Sequence, residues 1–138
     1  MVILNFITNV CQESFTVAKF RSGVYRPSNP AKFINTKGIK YRSKWECHFL
    51  AICDDSRAVT SIGYEVIKVP YTCPHSLLNR LYVIDYVAVI DGQTYAIEIK
   101  PVSQCKAPIN IAKWRSAEKW CEARGIIFIV ITELDLFQ

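Results

Sequence analysis

The sequence lacks the features that mark membrane, secreted and zinc-binding proteins. Its apolar N-terminal run, Met1 to Val10, is too short to span a bilayer and has no basic residues of the kind that begin a signal peptide. The six cysteines form no CxxC pair, and His48 and His75 have no partner at metal-ligand spacing. No repeats or low-complexity segments occur. We therefore expect a soluble, intracellular protein with mostly reduced cysteines, several of them packed in the core.

The composition fits one folded domain. A chain of 138 residues is long enough to bury a substantial core, and 51% of its residues are hydrophobic while 21% are charged. With these fractions, a disordered protein is not expected. The net charge of +5 is a modest bias toward polyanionic partners and does not by itself establish nucleic-acid binding.

The strongest local signal is a hairpin. Two runs rich in Val, Ile and Tyr, residues 81–90 and 93–100, flank the pair Asp91-Gly92. An Asp-Gly pair between such runs predicts two antiparallel strands joined by a two-residue turn.

This register places charged side chains together. Asp85 faces Glu98, and Lys100 points to the same side of the sheet because it lies two positions further along. A loop longer by one residue would put the two carboxylates on opposite faces. Like charges directly opposite each other are destabilising, and a hard divalent cation such as Mg²⁺ would compensate them. The alternative is that Asp85 accepts a hydrogen bond from a neighbouring backbone amide while Glu98 pairs with Lys100, and the spacing leaves both interpretations open.

A helix is predicted to begin after Ser43, because Ser43 and Glu46 fit the capping-box pattern. We expect it to run to about Asp54-Asp55 and to fray there, since acidic residues are unfavourable at a helix C-terminus. Glu46 also lies on the apolar stripe of this helix, with Phe49, Leu50 and Cys53. The carboxylate of Glu46 is therefore either a cap or a functional group, and the pattern does not decide between them.

The first forty residues differ in character from the rest. Residues 1–20 fit a strand or a short helix, whereas residues 20–40 combine turn-forming residues with basic and aromatic ones such as Arg26 and Tyr25. Such an arm suits either the phosphate backbone of a nucleic acid or a surface of its own domain. We assign residues 1–40 to an N-terminal arm and residues 41–138 to the core domain.

A third strand is predicted from Gly63 to Tyr71, ending near Pro70 and followed by a loop from Thr72 to Arg80. Glu65 within that strand is either a further metal ligand or an ordinary charged residue.

The C-terminal third predicts a βαβ unit. After a loop at residues 102–109, Asn110 can cap a helix from Ile111 to Arg124, with Gly125 just past its end. The apolar run Ile126 to Ile131 predicts a strand covered on both faces and parallel to strand 93–100 through a right-handed crossover. The chain is thus expected to be α/β, with a mixed sheet flanked by helices.

The order of these motifs resembles the PD-(D/E)xK nuclease superfamily. Within it the chain is most similar to the head-completion nucleases of tailed bacteriophages, which are similar in turn to TnsA-like transposon end-cleaving nucleases. One departure is that Ile84 stands where the family has proline in its Pro-Asp-Phe motif. The resemblance covers roughly residues 20–136 and rests on the following segments: residues 23–30, Tyr41 to Glu46, Glu65 with Val69-Pro70-Tyr71, Tyr82 to Tyr86, Glu98 to Pro101, Trp114 to Cys121, and residues 125–133.

The resemblance implies a restriction-endonuclease-like fold and a Mg²⁺- or Mn²⁺-dependent endonuclease. Asp85 and Glu98 would hold the metal, the Ile99 carbonyl would add a ligand, and Glu46 would bind through water or hold a second ion. Lys100 would orient or help deprotonate the attacking water and steady the charge on the phosphate. Glu65 is a candidate additional acid. The residues expected to contact DNA are Arg26, Arg42, Lys44, Lys106 and Lys113.

Three functions follow as hypotheses. The first is a DNA endonuclease that acts in phage head completion after packaging, with branched or flapped DNA as a candidate substrate. The second is a junction-resolving or transposon-end nuclease. The third is a structural neck or head-completion protein that binds DNA ends or the portal without cutting. The expected partners are DNA and phage portal or neck proteins, with no membrane, in the host cytoplasm during assembly and with the virion as a further location.

Overall fold

A computed structural model of the chain describes residues 22–35 and 39–136. The predictions for residues 1–20 therefore lie outside the described residues. The strands are β1 (Gly23–Tyr25), β2 (Ile39–Tyr41), β3 (Val59–Tyr64), β4 (Lys68–Thr72), β5 (Asn79–Val83), β6 (Tyr86–Ile90), β7 (Gln93–Ile99) and β8 (Ile127–Ile131). The helices are α1 (Lys44–Asp55), α2 (Pro108–Glu122) and α3 (Glu133–Leu136), with short 3-10 turns at Pro30–Lys32 and Val102–Gln104.

The central sheet has the order β3-β6-β7-β8 among the described strands. β6 and β7 are antiparallel, and Ile90 pairs with Gln93 across the turn. Asp91 and Gly92 both have positive φ, 49° and 81°, which is the conformation that a two-residue type I′ turn requires. β7 and β8 are parallel and α2 lies between them in the chain. The predicted hairpin register, the mixed sheet and the parallel β7–β8 pair are confirmed.

The strand predicted over residues 81–90 is wrong in its length. The run divides at Ile84 and Asp85, so that β5 pairs with β4 in a separate two-stranded sheet while β6 pairs with β3 and β7. Backbone hydrogen bonds hold this break, because the Ile84 amide donates to Ile67 and the Glu65 amide donates to the Asp85 carbonyl. Asp85 therefore sits at the junction of two sheets, just before β6 begins.

The single strand predicted from Gly63 to Tyr71 is likewise two strands. β3 ends at Tyr64, and Glu65 turns the chain with a φ of 52° in the left-handed region. Pro70 lies inside β4 rather than at a strand end, and it lacks an amide hydrogen to donate. The loop predicted from Thr72 is shorter than expected, since β5 already begins at Asn79.

The two long helices lie on separate apolar clusters. On one side of the sheet, Phe49 of α1 packs against Tyr86, with their ring centroids 5.2 Å apart. In the other cluster, Ala117 and Cys121 of α2 pack with Ala96 of β7. Successive residues of β7 therefore alternate between the α1 side and the α2 side of the sheet.

The arm holds the C-terminus of α1, so the predicted fraying there is wrong. The Asp54 carboxylate accepts hydrogen bonds from the Tyr25 hydroxyl at 2.7 Å and from the amides of Ser28 and Asn29 at 2.7 and 2.9 Å. The Lys32 ammonium donates to three carbonyls at the end of the helix, those of Cys53, Asp54 and Ser56. A basic residue from the arm thus supplies the positive charge that the helix itself lacks. β2 spans the proposed boundary between residues 40 and 41, which stays a prediction.

α2 begins earlier than predicted. Its first residue is Pro108, and Asn110 lies in the first turn, where its side-chain amide donates to the Gln104 carbonyl instead of capping the helix. Gly125 follows the helix with a φ of 69°, as expected. The strand β8 is less covered than predicted, because it forms an edge among the described strands and its Ile127 side chain is exposed.

No helix within residues 22–35 and 39–136 has the length and apolar character needed to cross a membrane. The described cysteines are free thiols, as expected, and Cys53, Cys73 and Cys121 are buried.

Candidate active site

A cavity of about 190 Å³, which we call the site cavity, opens where the ends of β6 and β7 meet the start of α1. The residues predicted for metal binding and catalysis share this cavity: Glu46, Asp85, Glu98, Ile99 and Lys100 line it. They come from a helix, the junction before a strand and the end of another strand, and the fold brings them to one place. The predicted convergence of the two carboxylates with the lysine is therefore present in the structure.

Asp85 reaches the cavity from the junction between the two sheets. Its carboxylate accepts a hydrogen bond from the Ile99 amide at 3.0 Å, which is the backbone contact that the alternative interpretation anticipated. Burial raises the pKa of Asp85 to about 6, and the nearby carboxylates of Glu46 and Glu65 add to the increase. The Ile99 hydrogen bond and the Lys100 ammonium oppose this increase in pKa without cancelling it. The charged form of Asp85 is thus incompletely compensated by the protein.

Glu98 is the most deeply buried acid of the cavity, with 4% of its surface exposed. It follows Ile97 in β7 and therefore shares the α2 side of the sheet with Ala96. Burial raises the pKa of Glu98 to about 7, although the ammonium groups of Lys100 and Lys113 act in the opposite direction. A carboxyl group in this position gains from a further positive charge.

Glu46 serves as a cap and also faces the cavity. One of its carboxylate oxygens, Oε2, accepts from the Arg42 amide at 2.6 Å and from the Ser43 amide at 3.0 Å. The Ser43 hydroxyl in turn accepts from the Glu46 amide, which completes the predicted capping box. Because the capping contacts engage Oε2, the side chain is held at the rim of the cavity in a fixed orientation. The cap and a functional role are therefore compatible.

Lys100 lies one residue past β7, where its backbone amide donates to the Ile131 carbonyl of β8 at 2.9 Å. This bond fixes the lysine at the end of the parallel strand pair. Lys113 approaches from α2, with its ammonium 5.8 Å from the Tyr71 ring centroid and 5.6 Å from the Tyr82 ring centroid. The two rings hold that ammonium by cation–π attraction on the side of the sheet where Glu98 is buried.

The remaining predicted residues lie in different places. Arg42 lines the cavity, whereas Glu65 is exposed at the turn after β3 and is not among the lining residues. Arg26, Lys44 and Lys106 are exposed side chains outside the cavity wall. Their proposed contacts with DNA stay predictions.

Several lining residues were not predicted from the sequence. Trp45, Pro101 and Gln104 line the cavity together with the cap residue Ser43. Trp45 lies between the capping-box residues Ser43 and Glu46, and Pro101 directly follows the Glu98-Ile99-Lys100 motif. Their position next to these motifs is the sequence feature that could have indicated them as site residues. Gln104 lies in the short 3-10 turn before α2, and nothing in its local sequence indicates a site.

The donor set of the cavity fits a hard divalent cation. Mg²⁺ prefers oxygen ligands and needs only one or two carboxylates, the rest being water and phosphate. Asp85 and Glu98 are two such carboxylates, both with a raised pKa caused mainly by burial. Within the described ranges, no three His, Cys, Asp or Glu side chains lie close enough to form a complete protein cage. A softer metal with an all-protein ligand shell is therefore a poorer match for these residues.

Comparison with known proteins identifies a family and a relative that the chain resembles. The family described as TnsA-like endonuclease N terminal matches residues 56–133, a range that contains Asp85, Glu98 and Lys100 and begins after α1. The head completion nuclease of Enterobacteria phage T4 is 30% identical over 136 residues, covering 81% of this chain and 91% of that protein.

Proposed function

The chain belongs to the TnsA-like endonuclease family, and from this we propose that it hydrolyses DNA phosphodiester bonds with the help of a divalent cation. The observation that carries the proposal is the shared cavity of Asp85, Glu98 and Lys100. A buried acid, a half-buried acid and an amine that line one cavity suit a reaction in which negative charge grows on a phosphate.

We propose Mg²⁺ or Mn²⁺ as the cation, held by Asp85 and Glu98 with the Ile99 carbonyl as a further ligand. Glu46 contributes its second carboxylate oxygen, through water or to a second ion. When bound, such a cation supplies a Lewis acid at the phosphate and lowers the pKa of a water molecule.

The protein side chains do the positioning. The capping box fixes Glu46 at the rim, and the Ile99 amide fixes the Asp85 carboxylate. Lys100 orients the attacking water and neutralises charge on the non-bridging oxygens as the bond breaks. Arg42, which also lines the cavity, adds a guanidinium that suits a second phosphate of the same strand.

We further propose a role in phage head completion, because the T4 relative carries that name and the alignment covers most of both chains. In that setting the substrate would be DNA at or near the packaged end, including branched or flapped forms, and the partners would be portal or neck proteins. The place of action would be the host cytoplasm during assembly, with retention in the virion as an extension of the same proposal.

The test is cleavage of supercoiled plasmid and branched oligonucleotides with Mg²⁺ or Mn²⁺. We expect the wild type to cut, and Asp85→Asn, Glu98→Gln and Lys100→Ala each to reduce cutting at least ~100-fold, as expected for loss of a charge-stabilising group. Asp55→Asn is the matched control, since this exposed acid at the end of α1 does not line the cavity. Failure of the wild type to cut any of these substrates would instead favour a structural protein that binds DNA ends.

A further inference from the structure

A second pocket adjoins the site cavity. It has a volume of about 300 Å³, and Arg42 lines both spaces. Its walls come from the β1–β2 sheet and the end of β3, through Val24, Lys40, Tyr41 and Tyr64. We call it the tyrosine pocket. None of these wall residues is needed for the chemistry proposed above apart from the shared arginine.

The rings of Tyr41 and Tyr64, which line the pocket, are fixed by packing against neighbouring residues. Gly23 lies opposite Tyr41 in the β1–β2 pair, and a Cβ atom at position 23 would be only 2.7 Å from the Tyr41 Cζ atom. The Tyr41 ring therefore lies over the glycine backbone. The Tyr64 ring packs on Tyr86, with centroids 5.9 Å apart. Rings fixed in this way offer flat apolar surface at little cost in conformational entropy.

The side chains of the pocket favour a ligand that combines several negative charges with uncharged rings. Lys40 and Arg42 are exposed cations beside the two tyrosines. Burial raises the pKa of Tyr64 to about 12, and the neighbouring Glu65 carboxylate adds to the increase. Glu65 directly follows Tyr64 at the turn after β3 and is exposed there, and it is not among the lining residues of the pocket. Aromatic faces combined with basic side chains form the arrangement that binds unpaired nucleotides by stacking and phosphate contact.

A paired base has no access to such a pocket, because its faces are covered by the neighbouring bases of the duplex. Resting on the proposed nuclease function, we infer that the tyrosine pocket binds an unpaired nucleotide next to the phosphate held in the site cavity. The preferred substrate is then DNA with a single-stranded nucleotide adjoining the cut, and Tyr64 determines this preference. Arg42, common to both spaces, contacts the phosphate between them.

The test measures binding in a protein that cannot cut. In an Asp85→Asn background of the full chain, fluorescence anisotropy follows binding to a continuous duplex and to the same duplex with an unpaired 3′ or 5′ tail. Tyr64→Leu keeps the apolar bulk against Tyr86 but removes the flat ring, whereas Tyr64→Phe keeps the ring. Lys40→Gln tests the rim charge, and Lys68→Gln, on an exposed position of β4, is its matched control.

We expect Tyr64→Leu to weaken binding to one of the tailed duplexes by roughly 5- to 150-fold, the range that corresponds to stacking of one base. Tyr64→Phe should bind like the parent, and neither variant should change the affinity for the continuous duplex. A 2-aminopurine in the tail should be quenched with the parent and with Tyr64→Phe but not with Tyr64→Leu. Lys40→Gln should weaken tail binding more than Lys68→Gln does.

Equal affinities of Tyr64→Leu and Tyr64→Phe for all DNAs would overturn the inference, as would an equal loss on the continuous duplex. Because binding is measured without cutting, these outcomes are separate from the failure of the nuclease proposal. If the wild type cuts DNA and Tyr64→Leu binds normally, only the pocket assignment is wrong. If the wild type does not cut and the Tyr64 dependence is present, the nuclease proposal is wrong and the pocket assignment holds.

Discussion

Removing a single negative charge from the site cavity should stabilise the protein when no metal is present. Asp85→Asn and Glu98→Gln keep the size of each side chain and an oxygen that accepts hydrogen bonds. The carboxamide oxygen introduced by Asp85→Asn would still accept from the Ile99 amide, so the backbone contact at 3.0 Å is preserved. What the substitutions remove is a buried charge that the protein compensates incompletely.

The magnitude follows from the pKa values. Burial raises the pKa of Asp85 from 3.8 to about 6 and that of Glu98 from 4.5 to about 7. Each of these differences corresponds to a loss on the order of 3 kcal/mol in the free energy of unfolding when the group is fully ionised. The folded protein binds these protons more tightly than the unfolded chain does. Stability is therefore highest below about pH 4 with respect to these groups and falls as the pH rises to about 7.

Asp54→Asn is the matched control, because the same substitution should have the opposite effect there. Burial alone would raise the pKa of Asp54, but hydrogen bonds from Tyr25, Ser28 and Asn29 lower it below its ordinary value. The stability from this group is present above the pKa of the unfolded chain and is lost as the pH falls. Removing the charge should therefore cost stability at neutral pH.

The assay is urea unfolding followed by tryptophan fluorescence in EDTA, at about pH 8 and about pH 5, on either side of the raised pKa values. We expect Asp85→Asn and Glu98→Gln to unfold at higher urea than the wild type at the higher pH, with a smaller difference at the lower pH. Asp54→Asn should unfold at lower urea at the higher pH. If Asp85→Asn and Glu98→Gln both lose stability there as Asp54→Asn does, these acids are structural groups and the reasoning is refuted.

Three further outcomes are expected. Ser43→Ala should lower the free energy of unfolding by ~1 kcal/mol through loss of the 3.3 Å bond to the Glu46 amide, and should reduce plasmid cleavage, whereas Ser43→Thr should retain both in the same assays. Gly23→Ala should displace the Tyr41 ring and weaken binding to tailed DNA in the anisotropy assay, and unchanged affinity would contradict the packing described. Gly125→Ala should destabilise the protein by ~1 kcal/mol in urea because its φ of 69° strains a side chain, while cleavage by the folded protein should be unchanged.

Local chemistry explains the parts of the fold that the sequence predicts well. The turn at Asp91-Gly92 needs two residues with positive φ, and few residue pairs other than Asp-Gly suit it, so the register of β6 and β7 follows. The start of α1 is equally local, because Ser43 and Glu46 satisfy each other within one turn. A proline in the first turn is a local signal for a helix start, and Pro108 is the first residue of α2. The prediction that Asn110 caps this helix is wrong.

The sequence-based predictions are wrong where contacts between distant parts of the chain determine the structure. The run at residues 81–90 is largely apolar, and its division at Asp85 depends on bonds to Ile67 and Glu65 in another part of the chain. The end of α1 carries two acids and looks unfavourable until Lys32 of the arm is placed against it. Patterns of neighbouring residues do not reveal contacts between residues that are distant in the sequence.

The sequence predicts the acids and the lysine of the site, but it does not predict which other residues form the walls around them. Asp85, Glu98 and Lys100 follow from the hairpin register, even though Asp85 lies just before β6 rather than within it. Gln104 lies four residues after Lys100 in a turn whose local sequence indicates no site, and Tyr64 ends a strand far from the motif, so only the folded chain shows that they line the two neighbouring spaces.

The most direct measurement of the central claim is the anomalous difference density of crystals soaked with Mn²⁺. We expect one strong peak within coordination distance of both the Asp85 and the Glu98 carboxylates, on the cavity side of β7, and its loss in crystals of Asp85→Asn. Absence of that peak at a Mn²⁺ concentration that supports DNA cleavage in solution, or a peak at other residues alone, would contradict the central claim.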